Sequence, residues 1–149
     1  MRRVVMRRRY DRPAAEVFAA CVDLLRTPDE RRGVVARRVT PDPPGVDAVV
    51  STTIEDTHGE RELRATVVAF EPGVELATVT DGAPAVRTGL RCEPDGRGGT
   101  VVTLTSEAEG TLSAFGRAGV VLDWVLFARG QRRAARATLM RLDELALRR

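Results

Sequence analysis

Two hydrophobic periods divide the chain. Residues 2–10 alternate, with Val4, Met6 and Tyr10 on one parity. Successive side chains of a strand point to opposite faces, so this pattern predicts a half-buried strand. From residue 14 the period lengthens. Ala14, Val17, Phe18, Cys21 and Leu25 recur at helical spacing and form one apolar face. Pro13 suits the first helical position, where its missing N–H costs nothing. Glu16, in the first turn, complements the helix dipole. Thr27-Pro28-Asp29-Glu30 carries the residues of a capping box with Pro at the first helical position, and predicts a second short helix ended by Gly33.

Alternation then returns. Segments 33–39, 46–56, 60–71, 74–80, 86–93 and 100–109 read as strands. They are separated by the Pro-rich turn 41–45, by Thr57-His58-Gly59, by Glu71-Pro72-Gly73, by Asp81-Gly82 and by Pro94-Asp95-Gly96. Connections this short make hairpins, and consecutive hairpins make an antiparallel meander. The parities expected to face the core are Val50, Thr52, Ile54; Leu63, Ala65, Val67; Val86, Thr88, Leu90, Cys92; and Val102, Leu104, Ser106, Ala108. The chain closes with a long helix over about 113–147, Ser113 serving as N-cap. A start after Gly119 is the alternative. Val121, Trp124, Ala128, Ala135, Leu139, Leu142 and Leu145 form its apolar stripe. Glycine inside a helix costs about 1 kcal/mol against Ala. Gly130 therefore predicts a bend or a close approach to the sheet.

Composition narrows the function classes. The chain has 149 residues, 43% hydrophobic and 30% charged, as expected for one globular domain spanning 1–149. Net charge is +3, and every one of the 24 cations is Arg. These arginines are scattered, and the aromatics number six (one Trp, one Tyr, four Phe), so no basic face with stacking platforms is expected and no nucleic-acid partner. Cys21 and Cys92 sit in apolar surroundings without a CxxC spacing, which reads as two buried free thiols of a cytoplasmic protein. Residues 1–10 lack the apolar core of a secretory signal. The longest apolar run, 118–128, is broken by Asp123 and is too short to cross a bilayer, so no integral membrane segment is expected. No HExxH motif, paired cysteines or clustered carboxylates suggest a metal, and Gly96-Arg97-Gly98-Gly99 is turn chemistry rather than a phosphate loop; no cofactor is expected. His58 is the sole His and lies in a hairpin turn, so no Ser-His-Asp or Cys-His pair assembles unless that turn folds over a pocket mouth.

The order strand, helix pair, six-strand meander, long helix resembles the START-like or Bet v 1-like superfamily, which includes polyketide cyclase/dehydrase and lipid-transport proteins. Four local motifs agree. Tyr10-Asp11-Arg12-Pro13-Ala14-Ala15-Glu16-Val17-Phe18 resembles the family's opening. Val68-Ala69-Phe70-Glu71-Pro72-Gly73 is similar to its aromatic-Glu-Pro strand end. Gly99-Thr100-Val101-Val102-Thr103-Leu104 resembles its last strand, and Leu139-Met140-Arg141-Leu142-Asp143-Glu144-Leu145 its helix ending. Together they span nearly the whole chain. The resemblance implies an α+β helix-grip fold: a curved antiparallel sheet of about seven strands around the C-terminal helix, with two short helices after the first strand. The chain departs from the pattern in two places. Arg31-Arg32-Gly33 stands where a Trp often ends the second helix, and Val, Ala and Thr replace most of the usual pocket aromatics.

A curved sheet cannot press flat against a straight helix along its whole length, so the gap is either filled by large side chains as a dry core or left as a cavity. The small inward residues and few aromatics here predict a cavity. The expected ligand wall is Val50, Thr52, Ile54, Leu63, Ala65, Val67, Val86, Thr88, Leu90, Val102, Leu104, Ser106, Val121, Trp124 and Ala128. The first expectation is a carrier or sensor of a hydrophobic or aromatic small molecule, monomeric or homodimeric. The alternatives are a polyketide aromatase/cyclase-type enzyme and a co-chaperone-like interaction module. No catalytic residue is assigned; Asp123, inside the apolar run, is the acid that an enzyme reading would examine first.

Overall fold

The expected meander is present as one antiparallel sheet. The structure is a computed structural model that describes residues 2–82, 85–108 and 116–148; for residues 116–129 it describes the backbone alone. The described strands are β1 (Arg2–Tyr10), β2 (Val34–Thr40), β3 (Val49–Asp56), β4 (Gly59–Glu71), β5 (Glu75–Thr80), β6 (Val86–Pro94) and β7 (Thr100–Ala108). Their order is β1-β7-β6-β5-β4-β3-β2, so the meander runs from β2 to β7 and β1 pairs with its last strand. Helices α1 (Ala14–Leu24) and α2 (Gly116–Leu147) complete the fold. This is the helix-grip arrangement. Among the described residues the helices pack on each other and on β1, β7, β6 and β5.

The inward parities are those the alternation predicts. Val102, Leu104, Ser106 and Ala108 are buried along β7, and Leu90 and Cys92 along β6. Val17, Phe18, Cys21 and Leu24 of α1 meet them, as do Leu139, Leu142 and Leu145 of α2. Two strands change parity midway, β2 between Val34 and Ala36 and β4 between Val67 and Ala69. A register shift between Val67 and Ala69 inserts an extra residue into β4. Val67 is fully buried before it, and Phe70 turns inward after it, edge-on to Phe18 with ring centroids 5.5 Å apart. A bulge re-aims side chains in this way by adding one residue to one strand only.

Four local expectations change. Thr27 does not open a capping box: its hydroxyl donates to the Asp23 carbonyl at 2.6 Å and stays with α1. Residues Glu30–Arg32 form one 3-10 turn instead of an α-helix, because Asp29 exchanges both backbone hydrogen bonds with Val34 at 3.0 Å. That exchange closes the loop around Gly33, whose φ of 72° and 2.6 Å approach from the Glu55 carbonyl to a built Cβ leave room only for glycine. Pro13 is the N-cap rather than the first helical residue, extended at φ −61° and ψ 152°, its carbonyl accepting from Glu16 and Val17. Finally, α2 continues through Gly130, and a Cβ built there meets nothing within 4 Å. The close approach to the sheet is absent. Ser113 lies outside the described residues, and the helix is described from Gly116.

Polar ties hold the C-terminal end of α2. The Tyr10 hydroxyl donates to Asp143 Oδ1 at 2.6 Å, and Arg8 pairs with the same carboxylate at 3.5 Å. Burial, and then that hydrogen bond, push the Tyr10 phenol well above its ordinary value. Arg141 donates to the Pro28 carbonyl at 2.9 Å and to Glu144 at 2.6 Å, and Arg31 pairs with Glu144 from the 3-10 turn. The hydrogen bond from Arg31, then that from Arg141, hold the Glu144 carboxyl below the usual carboxylate range.

Candidate ligand-binding cavity

A cavity of about 310 Å³ lies between β6, β7 and the middle of α2. Alternation supplies its floor. Val86 and Thr88 project from β6, and Leu104 and Ser106 from β7, as same-face neighbours: Thr88 pairs directly with Ser106, and Leu90 with Leu104. Helical spacing supplies its roof. Gly130, Ala134 and Thr138 recur at i, i+4 and i+8, with Gln131 and Ala135 beside them. The roof is made of small residues. Where Leu139, Leu142 and Leu145 reach the sheet one or two turns later, no such space remains. Gly130 and Ala134 are exposed, so the cavity opens on their side.

The walls are mainly apolar, with one polar corner. Gln131 Nε2 donates to the Ser106 carbonyl at 2.8 Å and to the Ser106 hydroxyl at 3.0 Å. Thr88 is half-buried beside them. Thr138 spends its hydroxyl on the Ala134 carbonyl at 2.9 Å, a bond within the helix. Among the described wall residues none is an acid, a base or a thiol.

Four residues of the expected wall therefore meet at this cavity: Val86, Thr88, Leu104 and Ser106. Leu90 and Val102, on the same strands, are buried in the core beyond it, as are Val50 and Val67 on β3 and β4. Ala65 packs against that core half-buried. Thr52 is buried and accepts from Arg37 Nε at 3.3 Å. Arg37 also donates to the Leu24 carbonyl at the end of α1, and burial lowers its pKa. Ile54 is half-buried, and Leu63, though on the inward face, is 44% exposed. The β3–β4 positions are thus core or rim and not walls of this cavity. Parity fixes the face a residue takes but not what lies above it. The side chains of Val121, Asp123, Trp124 and Ala128 lie outside the described residues.

Gln131 belongs to the site and was not expected there. A signal existed: it is the only Gln in a chain without Asn, and it falls on the apolar stripe between Ala128 and Ala135. His58 is far from this geometry, exposed in the turn with its N–H donating to Asp56 Oδ1 at 2.8 Å. Cys21 and Cys92 are buried free thiols. Their mutual hydrogen bond, and then burial, push the Cys21 thiol up and away from the reactive thiolate. No group of three or more metal-ligating side chains is found among the described residues. No described helix is long and apolar enough to cross a membrane.

Comparison with known proteins places the chain. The family described as polyketide cyclase/dehydrase and lipid transport matches residues 1–146. The chain belongs to that family. Its fold is similar to that of solved relatives across both chains. TTHA0849 from Thermus thermophilus superposes with a TM-score of 0.70 at 16% identity, covering 98% of this chain and 97% of that one. Ara h 8.0201 gives 0.68 at 13% identity, covering 99% of each. The di-domain ARO/CYC StfQ from the steffimycin biosynthetic pathway gives 0.66 at 18% identity; 97% of this chain matches 49% of StfQ, about half its length. At these identities the likeness is one of fold. No functionally curated protein matches the sequence. Family and fold together support hydrophobic-ligand binding or a polyketide cyclase/dehydrase-type function.

Proposed function

We propose that this protein binds a hydrophobic or aromatic small molecule in the cavity between β6, β7 and α2, as a carrier or sensor. One observation carries the reading: the small-residue roof over Val86, Thr88, Leu104 and Ser106 leaves about 310 Å³ unfilled beside an otherwise close-packed core. Native interiors seldom keep such voids, because each forfeits dispersion contacts along its lining. A guest restores them. The open side at Gly130 and Ala134 provides a route inward.

The aromatase/cyclase reading draws on the family and on the fold shared with StfQ. The described walls offer hydroxyls and a carboxamide, groups that orient a guest more readily than they move its protons. They favour holding over turnover.

Native mass spectrometry of the purified protein, paired with titration of an apolar fluorescent dye, tests the proposal. The expected result is a co-purified apolar mass, or saturable 1:1 dye binding with blue-shifted emission. Unliganded protein that also fails to bind the dye saturably would refute it.

A further inference from the structure

Behind the polar corner of the cavity lies a buried acceptor with nothing to accept. Gln131 is 7% exposed, and its Oε1 is buried without any hydrogen-bond partner. The orientation of the carboxamide follows from its surroundings. Nε2 faces the Ser106 carbonyl at 2.8 Å, and a carbonyl can only accept, so the NH₂ end must lie there and Oε1 must point away. Ser106 completes the corner. Its hydroxyl accepts from Nε2 at 3.0 Å and makes no described donation of its own, so its hydrogen stays available.

We propose that Gln131 Oε1 is the specificity-determining acceptor of this cavity, and that it selects an apolar guest carrying a hydroxyl group, phenolic or alcoholic. The inference rests on the reading of the cavity as a ligand site. A hydroxyl answers both halves of the corner through a single atom. Its hydrogen goes to Gln131 Oε1, and its oxygen accepts from the Ser106 hydroxyl. A ketone or ether would leave Oε1 unpaired, and a protonated amine, which has donors only, would leave the Ser106 hydroxyl without an acceptor. Oε1 is shut off from water, so a guest has to displace part of the wall to reach it. That requirement raises selectivity. A guest without a donor gains nothing from the displacement, and a site built around a buried polar group rejects analogues that leave it unpaired.

The chain itself supplies the readout. Gln131 is its only carboxamide side chain, so glutamine labelled with ¹³C and ¹⁵N gives a single side-chain Cδ and a single NH₂ pair by NMR. The probes are 1-naphthol and 1-methoxynaphthalene, which differ in whether the oxygen carries a hydrogen. The expected result is that naphthol binds about tenfold or more tightly and shifts the Gln131 Cδ signal, whereas the methyl ether binds without that shift. In Gln131→Met, of similar shape, the preference for naphthol over the ether collapses to near unity. Equal affinities, or naphthol binding that leaves Cδ unmoved, would overturn the inference and spare the cavity reading. Failure of both probes to bind would remove the cavity reading, and this inference with it. Should Gln131→Met not fold, the Cδ comparison on the unmodified protein decides alone.

Discussion

The two ends of the described part of α2 meet the same sheet in different ways. From Leu139 to Leu145 the helix presents leucines, and Leu142 is completely buried among the residues of α1 and β1 to β7 that form the core. From Gly130 to Thr138 it presents Gly, Ala, Gln and Thr, and a cavity remains. β7 runs a parallel course, with Val102 and Leu104 fully buried and Ser106 marking the polar corner. Side-chain volume, with backbone geometry unchanged, turns one helix–sheet contact into core at one end and a cavity at the other. The filled end supplies stability, and the hollow end is free to supply function.

The comparison can be broken most severely at the filled end. Leu142→Ala should cost about 2–5 kcal/mol, the range for deleting a fully buried leucine. Urea unfolding followed by circular dichroism measures it; a loss under about 1 kcal/mol would mean that this end is not close-packed. The reverse change belongs to the hollow end. Ala135→Leu adds volume where space exists, so stability should move by less than about 1–3 kcal/mol, the cost of overpacking a filled core, while saturable dye binding disappears. Gly130→Ala is a smaller and opposite effect. The position is helical, and its Cβ would meet nothing within 4 Å, so the variant should gain about 0.5–1 kcal/mol, visible as a raised Tm. The smallest effect is one of pH. Glu144 titrates below its ordinary value in the folded state, so the stability it adds is complete above pH 4.5 and is lost as acid carries the pH down through the lower folded value. In Glu144→Gln, thermal melts should show a weaker dependence on pH in that acid window than in the unaltered protein.

Much of the architecture was legible in the sequence because strands and hairpins advertise themselves locally. Val86 to Cys92 alternates without interruption, and Thr57 with His58 forms the two-residue link that Asp56 and Gly59 close. What was not legible depended on partners distant in sequence. The capping residues at Thr27 to Glu30 were all in place, yet Val34 captured Asp29 and Asp23 captured Thr27. The β4 bulge is one extra residue whose only sign is that Phe70, not Ala69, reaches the core. The floor of the cavity was readable from parity, through Val86, Thr88, Leu104 and Ser106. Gln131 in the roof was not, since a stripe read as apolar passes over the one polar position that interrupts it. Nor could parity separate Val50 and Val67, sealed beneath other side chains, from residues with open space above them.

The ties at Tyr10, Arg8, Arg31 and Arg141 all grip α2 at Asp143 and Glu144, or beside them at Arg141 itself. In mechanical terms the described helix resembles a tongue clamped near its root. Thr138 lies seven positions beyond Gln131, and over that span the described polar links to the sheet are those Gln131 makes to Ser106 and, at 3.5 Å, to the Arg2 carbonyl. Amide exchange should therefore slow steadily toward the clamp, and a guest can enter by easing the free stretch while the leucine end stays closed. In the proposed carrier reading, such a helix would load and unload without spending the stability of the core.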